Sequence, residues 1–600
     1  MRKMDLTLWA LARCPFLSAD DLALLAGTGA RAARAHLARL RRAGLVDSIH
    51  PPGTRLSLYY LVPAGIVAAA RTAGTSPATL AARYGLGDRA LQRRLPALER
   101  LVAGRRVLLA LHQELAARGG RLEEWRAWPV PWPYRCGSRC RVLALDGEGM
   151  MRLPACWEER RPFGLLWDGD GAVPPMVLAA RLAALEMLAA APAYGGPRSP
   201  RVPPILLVTA SAERVPRGYR PGLLWTTWAD VMSNGVIDAP WRSSDLGAEA
   251  LPLPAALAAQ GVGPTWTPFG VPLSRGETPV LPRTRAPRQR LQERIDALHD
   301  GGTGDGDLSL LALAIPPRGM AILETVGGHP LLPATDIARV CDLNPVDAWD
   351  LLGRLCRYGL AAAWTSPGKR RTRRYVLTAR GLRLLAARAG LAPDAYRRIY
   401  AALDETAGRV RRGLRFAQRN LAHTDGINSV YLALLAAARA AGGALQWRGE
   451  WACSQIYANG PRLHTLRPDA EGRYCGPVGP LHFFVEVDRG TARLWRLATK
   501  LAQYYAYRSH SERDEIVLLL VTTGPDRGRA ATRLNEALAA RTRTPVLDLR
   551  VTTQAELAQL GSYAHPWSAV FGARGLLHPS TGRTIATQAR TAQSHEEDSP

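Results

Sequence analysis

The chain is 600 residues long with 47% hydrophobic residues, more than one core can use, so several domains are expected. Its 78 lysines and arginines against 51 acids leave a formal charge of +27, a field that suits a polyanion and makes nucleic acid the expected partner. No segment reaches the roughly 18 apolar residues of a membrane span, Asp5 and Arg13 interrupt the first residues, and the eight cysteines form no regular framework, so a cytoplasmic protein with no membrane partner is expected.

Residues 1–75 read as three helices and a hairpin. Ser18 can cap a helix over 19–26, Gly27-Thr28-Gly29 turns the chain, and an amphipathic helix over 30–43 ends at Gly44 before a Pro-Pro-Gly turn joins two short apolar strands. This is the pattern of a winged helix-turn-helix. Residues 90–245 follow as an α/β block with apolar strands at 164–168 and 204–209. Residues 250–315, rich in Pro and Gly and carrying Arg283, Arg285, Arg288 and Arg290, read as a linker with one short basic helix.

The winged pattern returns over 316–392. Thr335-Asp336 opens a helix over 336–341, Asn344-Pro345 starts the next, Gly359 ends it, and Ser366-Pro367-Gly368 turns a hairpin whose return strand is 375–377. An α/β block returns over 405–573, with a helix at 427–441, strands near 445–452 and 462–467, a buried strand at 481–487, a helix at 492–507 and strands at 516–522 and 546–551. The polar tail, 576–600, is expected to be disordered.

The chain is thus written twice. Leu-Ala-Leu-Asp-Gly-Glu-Gly at 143–149 reappears as Leu-Arg-Pro-Asp-Ala-Glu-Gly at 466–472, and Gly119-Gly120 as Gly442-Gly443 at the same spacing of 323. Gly44-Leu45 and Tyr60 match Gly359-Leu360 and Tyr375 at a spacing of 315. Two copies of one fold allow residues with different duties to be compared position by position.

Two groups of residues carry function. In the first winged unit the recognition helix offers Arg31, Arg34, Arg41 and Arg42 to a DNA groove. In the second, Asp347 and Asp350 stand on that helix and the charge moves to the wing, Lys369, Arg370, Arg371, Arg373 and Arg374, which suits phosphates. The other group is Asp469, Glu486 and Asp488 with Lys500: three carboxylates beside an ammonium could hold Mg²⁺ and leave the lysine to stabilise charge at a phosphodiester. Only Lys3, Lys369 and Lys500 are lysine, so each is a choice against a strong arginine bias.

His423 and Asn428 leading into an apolar helix, Arg467-Pro468-Asp469, Phe484-Val485-Glu486-Val487-Asp488-Arg489-Gly490-Thr491, Lys500-Leu501 and Tyr504 resemble the replication-relaxation family of bacterial and plasmid proteins. The resemblance covers roughly 320–570, and 1–245 as a weaker second copy. It implies a DNA-binding protein acting in replication or topological relaxation of plasmid or mobile-element DNA, with double-stranded DNA as partner and homodimerisation or replication proteins as further partners. The core also resembles the PD-(D/E)XK nuclease superfamily, with Asp469 and Glu486 in the two acidic positions, Asp488 where a lysine is usual, Lys500 reaching in from the next helix, and His423 among the catalytic groups. The implied fold class is α/β with α+β winged-helix domains, a tandem duplication of a winged helix-turn-helix followed by a restriction-endonuclease-like α/β core. In the first copy Asp146 keeps the place of Asp469, but Arg100 stands for His423, Arg181 falls near Lys500 and no glutamate answers Glu486. The alternatives are a metal-dependent DNA endonuclease confined to the C-terminal core, and a winged-helix transcriptional regulator.

Overall fold

The computed structural model describes residues 3–559 except 52, 53, 55, 137, 138, 155, 170, 172–174, 190–201, 216–221, 244–248, 261–290, 300–307, 366–371, 392, 398–402, 405–408, 411–417, 419, 451, 460, 461, 477, 478, 492 and 511–515. The expected tail over 576–600, the wing residues Lys369, Arg370 and Arg371, and the arginines Arg283 to Arg290 lie outside the described residues. The chain divides into two units: residues 1–320 with 380–396, and residues 321–379 with 397–600. Among the described residues no single helix is long and apolar enough to cross a membrane.

Unit 1 begins with helix Lys3–Arg13, then Ala19–Leu25 and Ala30–Arg42. The Ser18 hydroxyl accepts the Asp21 amide while the Asp21 carboxylate accepts the Ser18 amide and hydroxyl, a reciprocal cap that sets where the second helix starts. Gly44, at φ 65°, ends the third helix in a left-handed turn that an L side chain resists. A hairpin of β1 (Val46–Ile49) and β2 (Leu58–Leu61) follows. Helix Leu98–Ala117 then leads into the long antiparallel strands β3 (Arg121–Cys136), β4 (Arg139–Leu153) and β5 (Trp157–Asp168). Helix Pro175–Ala189 crosses to β6 (Ile205–Thr209), and β7 (Leu223–Thr227) completes the sheet, both parallel to β5. The expected linker over 250–315 is partly core: Leu251 pairs with Trp241, and helix Leu253–Ala259 buries Leu253, Ala256 and Leu257, while Leu291–His299 and Leu308–Ala314 are further helices. The apolar spacing inside a Pro-rich composition outweighs the composition.

Unit 2 carries helices Ala334–Cys341 and Pro345–Arg357, the latter capped by the Asn344 side chain, and the hairpin of β8 (Ala361–Thr365) and β9 (Arg373–Leu377). Gly359, at φ 67°, makes the turn that Gly44 makes in unit 1. A two-residue pair, β10 (Leu403–Asp404) with β11 (Arg409–Val410), precedes helix Leu421–Ala440. The sheet that follows joins β12 (Ala444–Gly449), β15 (Ala470–Gly476), β16 (Gly479–Asp488), β17 (Val517–Thr522) and β18 (Asp548–Thr553) in that order. Its first three strands are antiparallel and its last three parallel, the same sense and order as β3 to β7. A separate hairpin, β13 (Gln455–Asn459) with β14 (Arg462–Leu466), is inserted between β12 and β15. Helix Leu421–Ala440 packs on one face through Ile427, Val430 and Leu434 against Phe483, Val485 and Val487. Helices Leu494–His510 and Pro525–Thr542 cover the other, against Phe484, Leu518 and Leu520.

Each sheet has an aromatic ring over a glycine on the neighbouring strand: Phe163 opposite Gly149 and Phe483 opposite Gly472. A Cβ at Gly149 would fall 2.8 Å from Phe163, and one at Gly472 would meet the Phe483 ring. Both rings are fully buried, so neither can yield space. Gly472→Ala is therefore expected to destabilise unit 2 by about 1–3 kcal/mol through overpacking, measured as a lowered urea midpoint; an unchanged midpoint would show that Phe483 moves freely.

Candidate functional site

Asp469 ends the turn before β15, where its amide donates to the Val485 carbonyl at 3.1 Å and its carboxylate Oδ2 accepts the Val487 amide at 2.8 Å. The bond ties the acid across to β16 and sets its other oxygen toward helix Leu421–Ala440, where His423 Nε2 lies 3.4 Å from Oδ1. Glu486, one residue before Val487, turns to the opposite sheet face. Its Oε1 accepts the Tyr504 hydroxyl at 2.6 Å and lies 3.1 Å from Lys500 Nζ. Lys500 also donates to the Arg467 carbonyl at 2.5 Å, so one ammonium spans the backbone before Asp469 and the carboxylate of Glu486.

The electrostatics are those of crowded acids with too little positive charge. Burial, and then the Asp469 charge, push the Glu486 carboxyl up to about 8, with Lys500 and Tyr504 only partly offsetting them. Glu450, which follows β12, is raised for the same reasons, burial first and Asp469 second, and its charge is felt by His423. Burial alone would lower His423, but the hydrogen bond and charge of Asp469, with Glu450 and Glu486, leave it raised above the ordinary imidazole value. Lys500 is likewise raised: desolvation lowers it, and Glu486 and Asp469 more than compensate.

Asp488 does not join this group. Arg527 of helix Pro525–Thr542 takes its Oδ2 at 2.7 Å and its Oδ1 at 3.3 Å, and the Gly490 amide takes Oδ1 at 2.9 Å. Among the described residues no three His, Cys, Asp or Glu side chains are grouped so as to hold a metal ion. The expected three-carboxylate set thus reduces to the pair Asp469 and Glu486, because an arginine 39 residues downstream captures the third acid. Glu450 and Tyr504 are the members that spacing did not reveal as parts of the site: one lies at the end of β12 and the other one turn beyond Lys500.

Unit 1 builds the same frame around Asp146. Its Oδ2 accepts the Trp167 amide at 2.7 Å, as Asp469 accepts that of Val487. Arg181 donates to Asp146 at 2.8 Å and to the Ala144 carbonyl at 2.9 Å, as Lys500 does to the carbonyl two residues before Asp469. Arg100 reaches Asp146 Oδ1 at 2.6 Å, the place of His423. Asp168 is held in a fork by Arg214, at 2.7 and 2.8 Å, as Asp488 is by Arg527. Buried Glu148 and Glu471 pair with Arg126 and Arg448. These repeated pairs are structural. What differs is the pocket: Leu166 and Leu185 stand in the apolar core where unit 2 has Glu486 and Tyr504. Side chains of Arg100, Asp146 and Arg181 are 6%, 2% and 1% exposed, whereas those of His423, Asp469 and Lys500 are 20%, 15% and 27% exposed. Unit 1 has a closed clamp, whereas in unit 2 the corresponding groups are partly open to solvent.

The residues expected to meet DNA are placed unevenly. Arg31, Arg34, Arg41 and Arg42 are exposed along helix Ala30–Arg42, opposite the buried Ala33, Leu37 and Leu40. Among the described residues the ion pairs that touch them are loose, Arg34 with Asp20 at 3.8 Å and Arg41 with Asp47 at 3.3 Å. Arg373 lies over the Tyr375 ring. Arg374 is drawn inward: it grips Asp425 at 2.6 and 2.9 Å and the Leu331 carbonyl at 2.8 Å, which latches the hairpin to helix Leu421–Ala440 and withdraws that arginine from the wing surface.

Residues 323–517 match the family model described as Replication-relaxation, a span that takes in His423, Asp469, Glu486, Asp488 and Lys500. No curated protein and no solved structure matches the chain.

Stability measurements should separate the two centres. Asp146→Asn strands two buried guanidiniums and is expected to cost unit 1 about 3–5 kcal/mol. Glu486→Gln should do the opposite at high pH. A carboxyl whose pKa is about 8 in the fold and ordinary when unfolded holds more protons folded than unfolded between those values, so stability falls as pH rises from the ordinary carboxyl range to about 8 and levels off above it. The neutral amide escapes that loss: the variant should be more stable than the parent at pH 9, with the gain vanishing toward pH 5. Equal melting of variant and parent at both pH values would show that Glu486 bears no electrostatic strain.

Proposed function

We propose that the chain is a replication-related DNA-processing protein of the replication-relaxation type, acting on plasmid or mobile-element DNA, in which winged-helix units bind the duplex and the C-terminal core works on its phosphodiester backbone. The family match over 323–517 supports the replication-related role. The observation that carries the rest is the contrast between the units: of two sheets with one order and one set of structural ion pairs, only the one whose first three strands lie in the matched region has Glu486, Lys500, Tyr504 and His423 around a partly exposed acid. A helix, three antiparallel strands, a crossing helix and a parallel strand, with acids at the start of the second strand and the end of the third, is also the arrangement expected of a PD-(D/E)XK-type core.

Asp469 and Glu486 suit a hydrated divalent cation such as Mg²⁺, since two hard oxygen donors, Glu486 raised first by burial and then by the Asp469 charge, are relieved by added positive charge. Such an ion, when bound, would polarise a phosphate oxygen and acidify a water. Lys500, held by Glu486 and the Arg467 carbonyl, presents a compact positive charge to a phosphate oxygen, and His423, its protonated form favoured by Asp469, can deliver a proton to a leaving oxygen. Asp488 orients the chain leaving β16 through Arg527 and takes no chemical part. On this reading unit 1, with its clamp closed, is a copy that retains the fold and binds DNA through Arg31, Arg34, Arg41 and Arg42.

Incubation of the purified chain with supercoiled plasmid, with Mg²⁺ or Mn²⁺ and with chelator, tests the reading on one gel. Metal-dependent nicking is expected, abolished by Glu486→Gln and by Lys500→Arg, whose planar fork misses the point the ammonium fills, with DNA affinity retained in both. Absence of nicking with either metal sinks the nuclease part, and a nicking Lys500→Arg variant removes Lys500 from the chemistry. Duplex binding is measured separately: with about six phosphate contacts, affinity should fall on the order of a thousandfold between low and physiological salt, and a flat salt dependence would count against winged-unit binding.

A further inference from the structure

Helix Leu494–His510 begins in an unexpected way. Its first turn holds no acid, although the amide end of a helix attracts negative charge; instead Arg493 and Arg496 flank exposed Leu494 and Trp495, with Arg489 just upstream. Trp495 is 59% exposed and Leu494 43%, two of the larger apolar side chains on the described surface. The Arg496 guanidinium lies 5.4 Å from the Trp495 ring centroid, and among the described residues Arg489 and Arg493 have no carboxylate partner. An open indole with unpaired arginines on both sides lowers solubility and gains no internal packing, so it is poorly explained by stability alone.

The position is equally specific. Arg493 and Arg496 share the Lys500 side of the helix, and Trp495, five residues ahead of Lys500, stands about 7.5 Å of rise and roughly 140° round from it; the chain that reaches them leaves β16 at Asp488. Unit 1 has the same stretch in a different composition. Gly171, at φ 68°, answers Gly490 at 69°, and buried Leu178 answers Leu497, at the spacing of 319 that also relates Arg181 to Lys500. Between those anchors unit 1 reads Ala-Val-Pro-Pro-Met-Val, without an arginine or an aromatic, and unit 2 reads Thr-Ala-Arg-Leu-Trp-Arg. The platform therefore goes with the open pocket and is missing beside the closed clamp.

We propose that Trp495, with Arg489, Arg493 and Arg496, is a subsite for an unpaired nucleotide next to the scissile phosphate: the indole stacks on the base and the arginines hold the flanking phosphates. The assignment rests on the phosphodiester-processing reading of the same core. It commits to single-stranded DNA because every base offers a face to an indole only when it is out of the duplex stack, whereas a duplex would present phosphates alone and leave the ring in water. A local opening of the duplex, or a strand already single, then delivers its backbone toward Lys500.

The test is fluorescence anisotropy of the full chain with a fluorescein-labelled oligonucleotide, single-stranded and as its duplex, in chelator so that no cleavage enters the reading. Trp495→Ala should weaken single-strand binding roughly 5- to 100-fold, the range of one lost base stack, with duplex affinity nearly unchanged. Trp495→Phe should recover most of the loss, and Arg493→Gln with Arg496→Gln should reduce the salt dependence of single-strand binding. Unchanged single-strand affinity in Trp495→Ala, or equal losses on both DNAs, overturns the subsite. Plasmid nicking distinguishes the two levels: a chain that nicks while Trp495→Ala binds normally loses only the subsite, and a chain that never nicks while Trp495→Ala loses single-strand binding keeps the subsite and loses the catalytic reading.

Discussion

One carboxylate organises each α/β core. An aspartate on the second sheet strand, just ahead of β15 in one unit and within β4 in the other, accepts a backbone amide from the neighbouring strand, Val487 to Asp469 and Trp167 to Asp146. Such a bond costs little while the acid is solvated and a great deal once the helices close over it, so something cationic must come with it. In unit 1 the cations are two arginines within 3 Å, and the pocket has no room left. In unit 2 they are a histidine and a lysine, smaller and more loosely placed, and the space they leave is where Glu486 and Glu450 crowd in. The same backbone constraint thus yields a strut in one half of the chain and a reactive-looking pocket in the other, by a choice of counterion.

Glu486 is the residue that stability alone would remove. Leucine occupies its place in unit 1 at no electrostatic cost, and the hydroxyl of Tyr504 must be buried with it to satisfy one oxygen. A glutamate in such a position, raised by burial and by a second acid, weakens the fold as the pH rises toward 8. Lys500 fits the same logic. Arginine answers it in unit 1 and almost everywhere else in the chain, so what the site retains is a point charge rather than a fork.

Much of this was legible in the residues. The spacing of 323 brought Asp146 and Asp469 into register, and Arg100 and Arg181 do stand against Asp146 as His423 and Lys500 stand near Asp469. Strand β15 was not anticipated, since Glu471, Gly472 and Arg473 argue against a strand by propensity; its stability comes from Glu471 meeting His482, Gln455 and Arg448, and from the Phe483 ring over Gly472, contacts that only the sheet creates. Asp488 is set apart from the other two acids for a related reason. Two acids at alternate strand positions share a face, but which of them is free depends on Arg527, placed by a helix that no local spacing reaches. Arg374 is set apart in the same way: five basic residues among the six from 369 to 374 look like one patch, yet the last turns in to Asp425.

Glu450 shows where a reading along the chain runs out. It follows β12, 19 residues ahead of Asp469 in a stretch with no motif, and only the antiparallel pairing of Gly449 with Ala470 carries it beside the acids. That pairing also explains why the pocket stays polar. Three carboxyls and an imidazole arrive from four separate segments, so no single loop shift can empty the site or neutralise it. The helix that carries Lys500 begins with exposed Trp495 and with Arg496, and at the place of Arg496 unit 1 has Val177 fully buried.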